Sequence, residues 1–185
     1  MDNGASSYRR FRHEGDESGL IEIIHNYRDG LILYLNSIVH DLHAAEELAE
    51  DTFVLLGTKK PKDKGTASFK TWLYTIARNL AVSHLRRQAR KKEVSLDDCM
   101  PWVDDNDLET DYIKEEEKRT VHQAMQRLKS EYRQVLWLVY FDDFSHKEVA
   151  ALMKTSVHNV DTLVYRARNA LKIQLEKEGF IYEEL

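Results

Sequence analysis

Apolar residues in this chain recur at three- and four-residue intervals and nowhere alternate with polar ones over any length. From Ser18, the series Leu20, Ile21, Ile24, Tyr27, Leu31, Tyr34, Leu35 and Ile38 has the period of an amphipathic helix. Seven Gly and two Pro among 185 residues leave little material for the tight turns of a β fold. The fold expected is therefore all-α. Gly30 is placed to bend or split the first helix. Asp41 is a cap for the next, which would bury Ala44, Ala45, Leu48, Phe53 and Leu56 and stop at Gly57. The stretch "KKPKDKGTA" is non-helical because of Pro61 and Gly65, and Ser68 is then an N-cap for a long helix.

The acidic stretch 93–113 has no helical period and contains a proline, which marks a linker. Helical pattern resumes near Lys114. Ser130 and Glu131 open a helix with Val135, Leu136, Val139 and Tyr140 inward, and "DDF" ends it. Ser145 caps a short helix to Met153, and Ser156 caps a last one to about Glu176. The organisation expected is two small helical domains, 18–92 and 114–177, joined by the acidic linker, with a disordered tail at 1–17 and a C-terminal tail at 178–185. Hydrophobic content of 42% suffices for packed cores. The polar N-terminus has no secretory signal, and the longest apolar run, "VLWLVYF", is too short to span a bilayer. Cys99 is the only cysteine, so no internal disulfide can form. The expectation is a cytoplasmic protein with no membrane insertion.

The net charge of −5 conceals a strong alternation. Residues 1–56 hold 4 basic and 11 acidic side chains, residues 57–92 hold 11 and 1, residues 93–117 hold 1 and 11, and residues 118–185 hold 11 and 9. The run "SFKTWLYTIARNLAVSHLRRQARKK" contains no acid at all. On a helical wheel Phe69, Trp72, Leu73, Ile76 and Leu80 share one face, which should be core. Lys70, Thr71, Tyr74 and Arg78 fall opposite, and Arg86, Arg87 and Arg90 follow where the apolar stripe thins. With Lys59, Lys60, Lys62 and Lys64 of the preceding loop, this is the electrostatic footprint of a phosphate backbone. Aromatic side chains beside it can stack on unpaired bases.

The stretch "SHKEVAALMKTSVHNVDTLVYRARNALKIQL" has the shape of a helix-turn-helix. Val149, Leu152, Val160, Leu163 and Val164 face inward, and the small Ala150 lets the two helices cross. His158, Asn159, Asp161, Thr162, Tyr165, Arg166 and Arg168 then face outward beyond the cap Ser156. Such a helix enters the major groove by its N-terminal turns, where Asn pairs with adenine, Asp accepts from cytosine N4 and Arg takes guanine or phosphate.

No catalytic set is found. "EIIH" has the Glu-x-x-His spacing of di-iron bundles but lacks a second copy. His40-Asp41 lacks further histidines at helical spacing, and no phosphate-cradling Gly-rich loop exists. The chain is expected not to be an enzyme and to hold no cofactor or metal. A free-standing helix-turn-helix regulator accounts for residues 114–177 equally well, but leaves "AAEELAEDTF" and the basic helix unexplained.

Three stretches in order, "AAEELAEDTF", "FKTWLYTIARNLAVSHLRR" and "HKEVAALMKTSVHNVDTLVYRARNALK", resemble the bacterial extracytoplasmic-function (ECF) sigma factors of the sigma-70 family over about residues 18–177. The resemblance implies a sigma-2-like bundle and a sigma-4-like helix-turn-helix domain. It implies that Glu47, Glu50 and Asp51 dock on the β′ clamp of core RNA polymerase, with the β flap as a further contact. It implies that the loop 60–68, with Lys60, Lys62, Lys64 and Ser68, and then Lys70, Thr71, Tyr74, Arg78, Arg86 and Arg87, captures and melts the −10 element. It implies that Ser156, His158, Asn159, Asp161, Thr162, Tyr165, Arg166 and Arg168 read the −35 element. Promoter DNA and an anti-sigma factor are the other implied partners. The acidic linker would thread polymerase channels that otherwise hold nucleic acid; a solvated spacer explains its charge as well. The family usually has Gln at the position of Glu50, often Gly at Lys154, and often basic residues at Asp161 and Leu163. A positive φ at Lys154 would cost roughly 1 kcal/mol.

Overall fold

The computed structural model describes residues 3–63, 65–94 and 116–177. Among them there is no strand, and the chain divides into two compact units, Met1–Asp98 and Cys99–Leu185. Residues 95–113 of the expected linker, Cys99, Lys64 and the tail 178–185 lie outside the described residues. Among the described residues no helix is long and apolar enough to cross a membrane, and no cluster of three or more His, Cys, Asp or Glu is placed to hold a metal.

The first unit contains α1 (Asn3–Arg9), a π-helical turn (Arg10–Glu14), α2 (Glu17–Val39), α3 (Leu42–Lys59) and α4 (Phe69–Val94). Helix α2 is central and packs against the other three. Asp16 caps α2 by accepting from the Ser18 N–H at 3.0 Å. Asp41 caps α3 by accepting from the Ala44 N–H at 2.9 Å. Ala44, Ala45, Leu48, Phe53 and Leu56 are all buried, as their spacing predicts.

Four expectations are corrected here. Residues 3–14 are helical rather than a disordered tail, because Tyr8 and Phe11 bury their rings against α4 and the loop before it. The approach of α1 is so close that a Cβ on Gly19 would collide with the Ser7 carbonyl, and one on Gly4 with the Phe69 ring. Gly30 does not split α2, which runs unbroken because neighbours on both sides hold it. Gly57 does not end α3; the helix continues to Lys59, and Lys60 takes the left-handed cap at φ 45°. Finally, the buried face of α4 is rotated from the one expected. Phe69, Leu73, Ala77 and Ala81 form its inner line, joined by Thr71 and Tyr74, while Trp72, Ile76 and Leu80 are only half-buried. The small residues Ala77 and Ala81 mark where helices approach closely, a signal that an apolar count undervalues. Tyr74 stacks on Tyr34 with ring centroids 5.2 Å apart.

The second unit contains α5 (Glu116–Gln126), α6 (Ser130–Leu136) continued by a π-helical turn (Trp137–Phe141), α7 (His146–Met153) and α8 (Val157–Lys177). Helix α8 packs against α5, α6 and α7. The buried Arg133 donates to the Leu128 and Gln126 carbonyls and so satisfies the end of α5. The wide turn after α6, closed by Asp142 N–H to Trp137 C=O at 3.1 Å, shifts the inward face by inserting a residue. Trp137 and Leu138 are buried as a result, and Tyr140, expected inward, is 51% exposed.

Candidate nucleic-acid interface

Three surfaces hold the side chains singled out from the sequence. The first is one face of α3. Glu47, Glu50 and Asp51 are all exposed there, and Val54, one turn on, is 59% exposed among them. Spacing of three and four residues places these four on one stripe. His43 lies 3.5 Å from Glu47 at the helix's start. An exposed valine within a carboxylate stripe combines an apolar contact with charge that a cationic partner would complement.

The second surface is the loop 60–68 with α4. Ser68 sits at the helix start, where its hydroxyl accepts from the Thr71 N–H at 3.2 Å and its carbonyl accepts from Trp72 N–H. Within the loop the Asp63 carboxylate accepts from the Gly65 N–H at 2.9 Å, and Gly65 has φ 65°. Lys60 and Lys62 are exposed, and Lys70 is half-buried with its ammonium 5.6 Å from the Tyr74 ring centroid. Arg78 is half-buried, and Arg86, Arg87 and Arg90 are exposed. Among the described residues the guanidinium groups of these four arginines meet no carboxylate. Arg87 and Arg90 instead donate back to the carbonyls of Ser83 and Arg86.

Two members of the expected set are not on this surface. Thr71 and Tyr74 are only 2% and 1% exposed, because the rotation of α4 turns them into the core. Thr75 and Asn79, which sequence reasoning missed, share the outer face with Arg78 and Arg86. Their polar side chains at helical spacing from those arginines were the available signal. Trp72, assigned to the core, keeps part of its indole accessible at the mouth of the loop.

The third surface is the helix-turn-helix. Ser145 forms a reciprocal capping box with Glu148 at the start of α7. Lys154 closes α7 at φ 57°, so the position does require a left-handed residue. Ser156 caps α8 by accepting from the Asn159 N–H at 3.1 Å. Val149, Leu152 and Val160 are fully buried at the crossing. Ser156, His158, Asn159, Asp161, Tyr165, Arg166 and Arg168 are exposed, and Thr162 is half-exposed. They stand together on the outer face of α8, as the sequence predicts. Besides Ser156, three are already engaged: Asn159 donates to the Thr155 hydroxyl at 3.1 Å, Thr162 donates to the His158 carbonyl at 3.1 Å, and Asp161 lies 2.6 Å from His146 Nδ1.

Residues 23–91 match the family described as Sigma-70 region 2, and residues 118–171 match Sigma-70, region 4. The ECF RNA polymerase sigma factor SigM of Bacillus subtilis is 30% identical over 152 residues, covering 82% of this chain and 91% of that protein. This chain belongs to the ECF sigma factors of the sigma-70 family. Its function is promoter-specific initiation of transcription. The RNA polymerase sigma-H factor of Pseudomonas aeruginosa is 28% identical over 171 residues, covering 88% of this sigma factor and 89% of that one. Among solved structures, the sigma factor RpoE in complex with the anti-sigma factor NepR from Bartonella quintana superposes with a TM-score of 0.66 at 22% identity, over 84% of this chain and 95% of that one. CnrH in complex with the cytosolic domain of CnrY gives 0.61 at 20% identity, over 94% and 95%. These two likenesses concern the fold. Region 2 of this sigma factor thus falls on α2, α3 and α4, and region 4 on α5 to α8.

Proposed function

We propose that the three surfaces divide the work of initiation. The face of α3 formed by Glu47, Glu50, Asp51 and Val54 docks on the β′ clamp of core RNA polymerase, and the region 4 unit docks on the β flap. The outer face of α8 reads the −35 element, with Asn159 and Asp161 as base readers and Arg166 and Arg168 on phosphate. The loop 60–68 and the outer face of α4, with Lys60, Lys62, Lys64, Ser68, Lys70, Arg78, Arg86 and Arg87, hold the −10 element once it opens. Thr75, Asn79 and Trp72 join that set, and the buried Thr71 and Tyr74 act only by supporting the helix.

One observation carries this reading. The outer face of α4 gathers cations from Lys70 to Arg90 with no acid in the helix between them, and it stands on the same unit as the carboxylate face of α3. An extruded base costs a few kcal/mol to unstack. Phosphate contacts together with an accessible indole supply that energy without reading sequence. The RpoE neighbour from Bartonella quintana was solved with an anti-sigma factor, and we propose that an anti-sigma factor masks these same surfaces here. The site of action is the cytoplasm, with the polymerase performing all bond chemistry.

The test is capture of purified protein by bacterial core RNA polymerase, followed by run-off transcription from a pool of genomic fragments. Stable capture with transcripts that start at defined positions is the expected result. Absence of capture, with the protein shifting duplex DNA by itself, would overturn it.

A further inference from the structure

The N-terminal segment 3–14 is tied to the loop 60–68 by contacts that its packing alone does not require. The Tyr8 hydroxyl donates to the Pro61 carbonyl at 2.6 Å. The Arg12 Nε donates to the Lys60 carbonyl at 3.0 Å. The Lys60 ammonium lies 4.6 Å from the centroid of the Phe11 ring. The Tyr8 ring also packs against Phe69 and Trp72, with centroids 5.6 and 5.2 Å away. One segment therefore holds both the entry of the loop and the start of α4 at its exit. Burial pushes the Tyr8 hydroxyl up to about 12, so it stays protonated and a donor at any physiological pH.

The segment is itself fixed from behind. Ser7 donates to the Glu22 carboxylate at 2.6 Å, and Arg10 bridges Glu22 and Asp16. The need for an external tie is visible in the loop. Lys60 holds a left-handed backbone without being glycine, a conformation that persists only where surroundings over-determine it. Arg12 and Phe11 supply those surroundings.

We infer that Tyr8 and Arg12 are positioning residues for promoter opening: they set where the loop 60–68 and Trp72 stand, and so how closely the −10 element is discriminated once its strand is unpaired. This rests on the reading of the loop given above. Neither residue needs to touch DNA.

Two measurements test it on the full chain. In the free protein, Tyr8→Phe and Arg12→Ala remove the two donors while the aromatic packing of the segment remains. Amide hydrogen exchange at 60, 62, 63 and 65–68 should rise about fivefold for each, the cost of one lost hydrogen bond, while the rest of the helices and the circular dichroism stay as in wild type. Unchanged exchange overturns the inference whatever the protein's function. With core polymerase, the Tyr8→Phe/Arg12→Ala protein should bind as wild type does. Its preference between promoters differing by one base in the −10 element, read by permanganate reactivity of open complexes, should narrow about fivefold or more. Its preference between promoters differing in the −35 element should not change. Arg12→Lys, which keeps the charge and loses Nε, should behave as Arg12→Ala. A uniform loss on all promoters would mean a merely structural role and refute the inference. If wild type itself fails to open promoters, the reading of function falls first and this use of the loop with it.

Discussion

Helices α4 and α8 both present an exposed polar face, and the two faces are built on opposite plans. The outer face of α4 is cationic from Lys70 to Arg90 with no acid between, and Arg87 and Arg90 donate back to their own backbone. The outer face of α8 mixes Asn159, Asp161, Thr162, Tyr165 and arginines, and the first three are already held in place by neighbours. Phosphate is the same at every nucleotide, so a face that holds backbone needs charge and tolerates loose side chains. Base edges differ, so a face that reads them needs donors and acceptors fixed in position.

The largest expected effect tests the α4 side of that contrast. Arg86→Ala with Arg87→Ala should weaken open complexes on the order of 100-fold, if each charge-assisted contact contributes about 1.5 kcal/mol. The loss should be alike on all promoters, and the salt dependence of open-complex stability should fall by about 1.4 in log–log slope. Competitor-resistant complexes counted at several salt concentrations give both quantities. A loss confined to particular sequences would erase the distinction between the two faces.

On α8 the effect should be smaller and selective. Asn159→Ala should cost about tenfold at one base pair of the −35 element and leave the salt slope unchanged. His146→Ala should cost roughly threefold at the base pair that Asp161 faces, the worth of one hydrogen bond, by freeing the Asp161 carboxylate from the partner that holds it at 2.6 Å. Binding of polymerase holoenzyme to single-base promoter variants checks both. Equal losses at every variant would show that α8 also holds backbone rather than reading bases.

These differences bear on what a sequence discloses. Helix starts are legible wherever a short polar side chain precedes an apolar run, as at Asp41, Ser145 and Ser156. The outer face of α8 is legible because Val160 and Val164 lie a turn apart and fix the opposite side. The face of α4 is not, since Ala77 and Ala81 define its buried line and count for little by hydrophobicity. Tyr74 and Thr71 were therefore placed outside when they lie within. The segment 3–14 is hidden by its polar composition; only the three-residue spacing of Tyr8 and Phe11 betrays a buried stripe. Tyr140 is misplaced because no local feature of "VLWLVYF" announces a π turn.

Acid should loosen the first unit at the segment that steadies the loop. Hydrogen bonds from Arg10 and then Ser7 hold the Glu22 carboxyl below the usual carboxylate range, and bonds from Ser18 do the same for Asp16. Both depressed groups contribute stability above the unfolded-state carboxylate pKa, and that contribution fades as pH falls through their lower folded values. Exchange of residues 3–14 should rise in that acid window before the helices as a whole unfold. Glu22→Gln should flatten the response. An N-terminal segment insensitive to pH there would show that Arg10 does not anchor it.

The finest contrast sets Lys60 against Lys154, one left-handed lysine in each unit, at φ 45° and 57°. A non-glycine residue in this region costs about 1–2 kcal/mol, and glycine returns part of that as chain entropy. At Lys154 the turn is held by backbone bonds of its own, Thr155 N–H to Ala150 C=O at 2.9 Å and Lys154 N–H to Ala151 C=O. Lys154→Gly should therefore stabilise the second unit by about 0.5–1 kcal/mol, a rise of roughly 2–5 °C in melting temperature, and leave −35 discrimination unchanged. At Lys60 the same relief is opposed, because the substitution removes the ammonium from the Phe11 ring and frees a loop that is tied from outside. Lys60→Gly should gain little or no stability and should blur −10 discrimination. Thermal melts and promoter preference measured on the same two proteins decide the matter. If both substitutions stabilise alike and neither changes preference, the loop is as self-sufficient as the helix-turn-helix turn, and the two faces differ in composition alone.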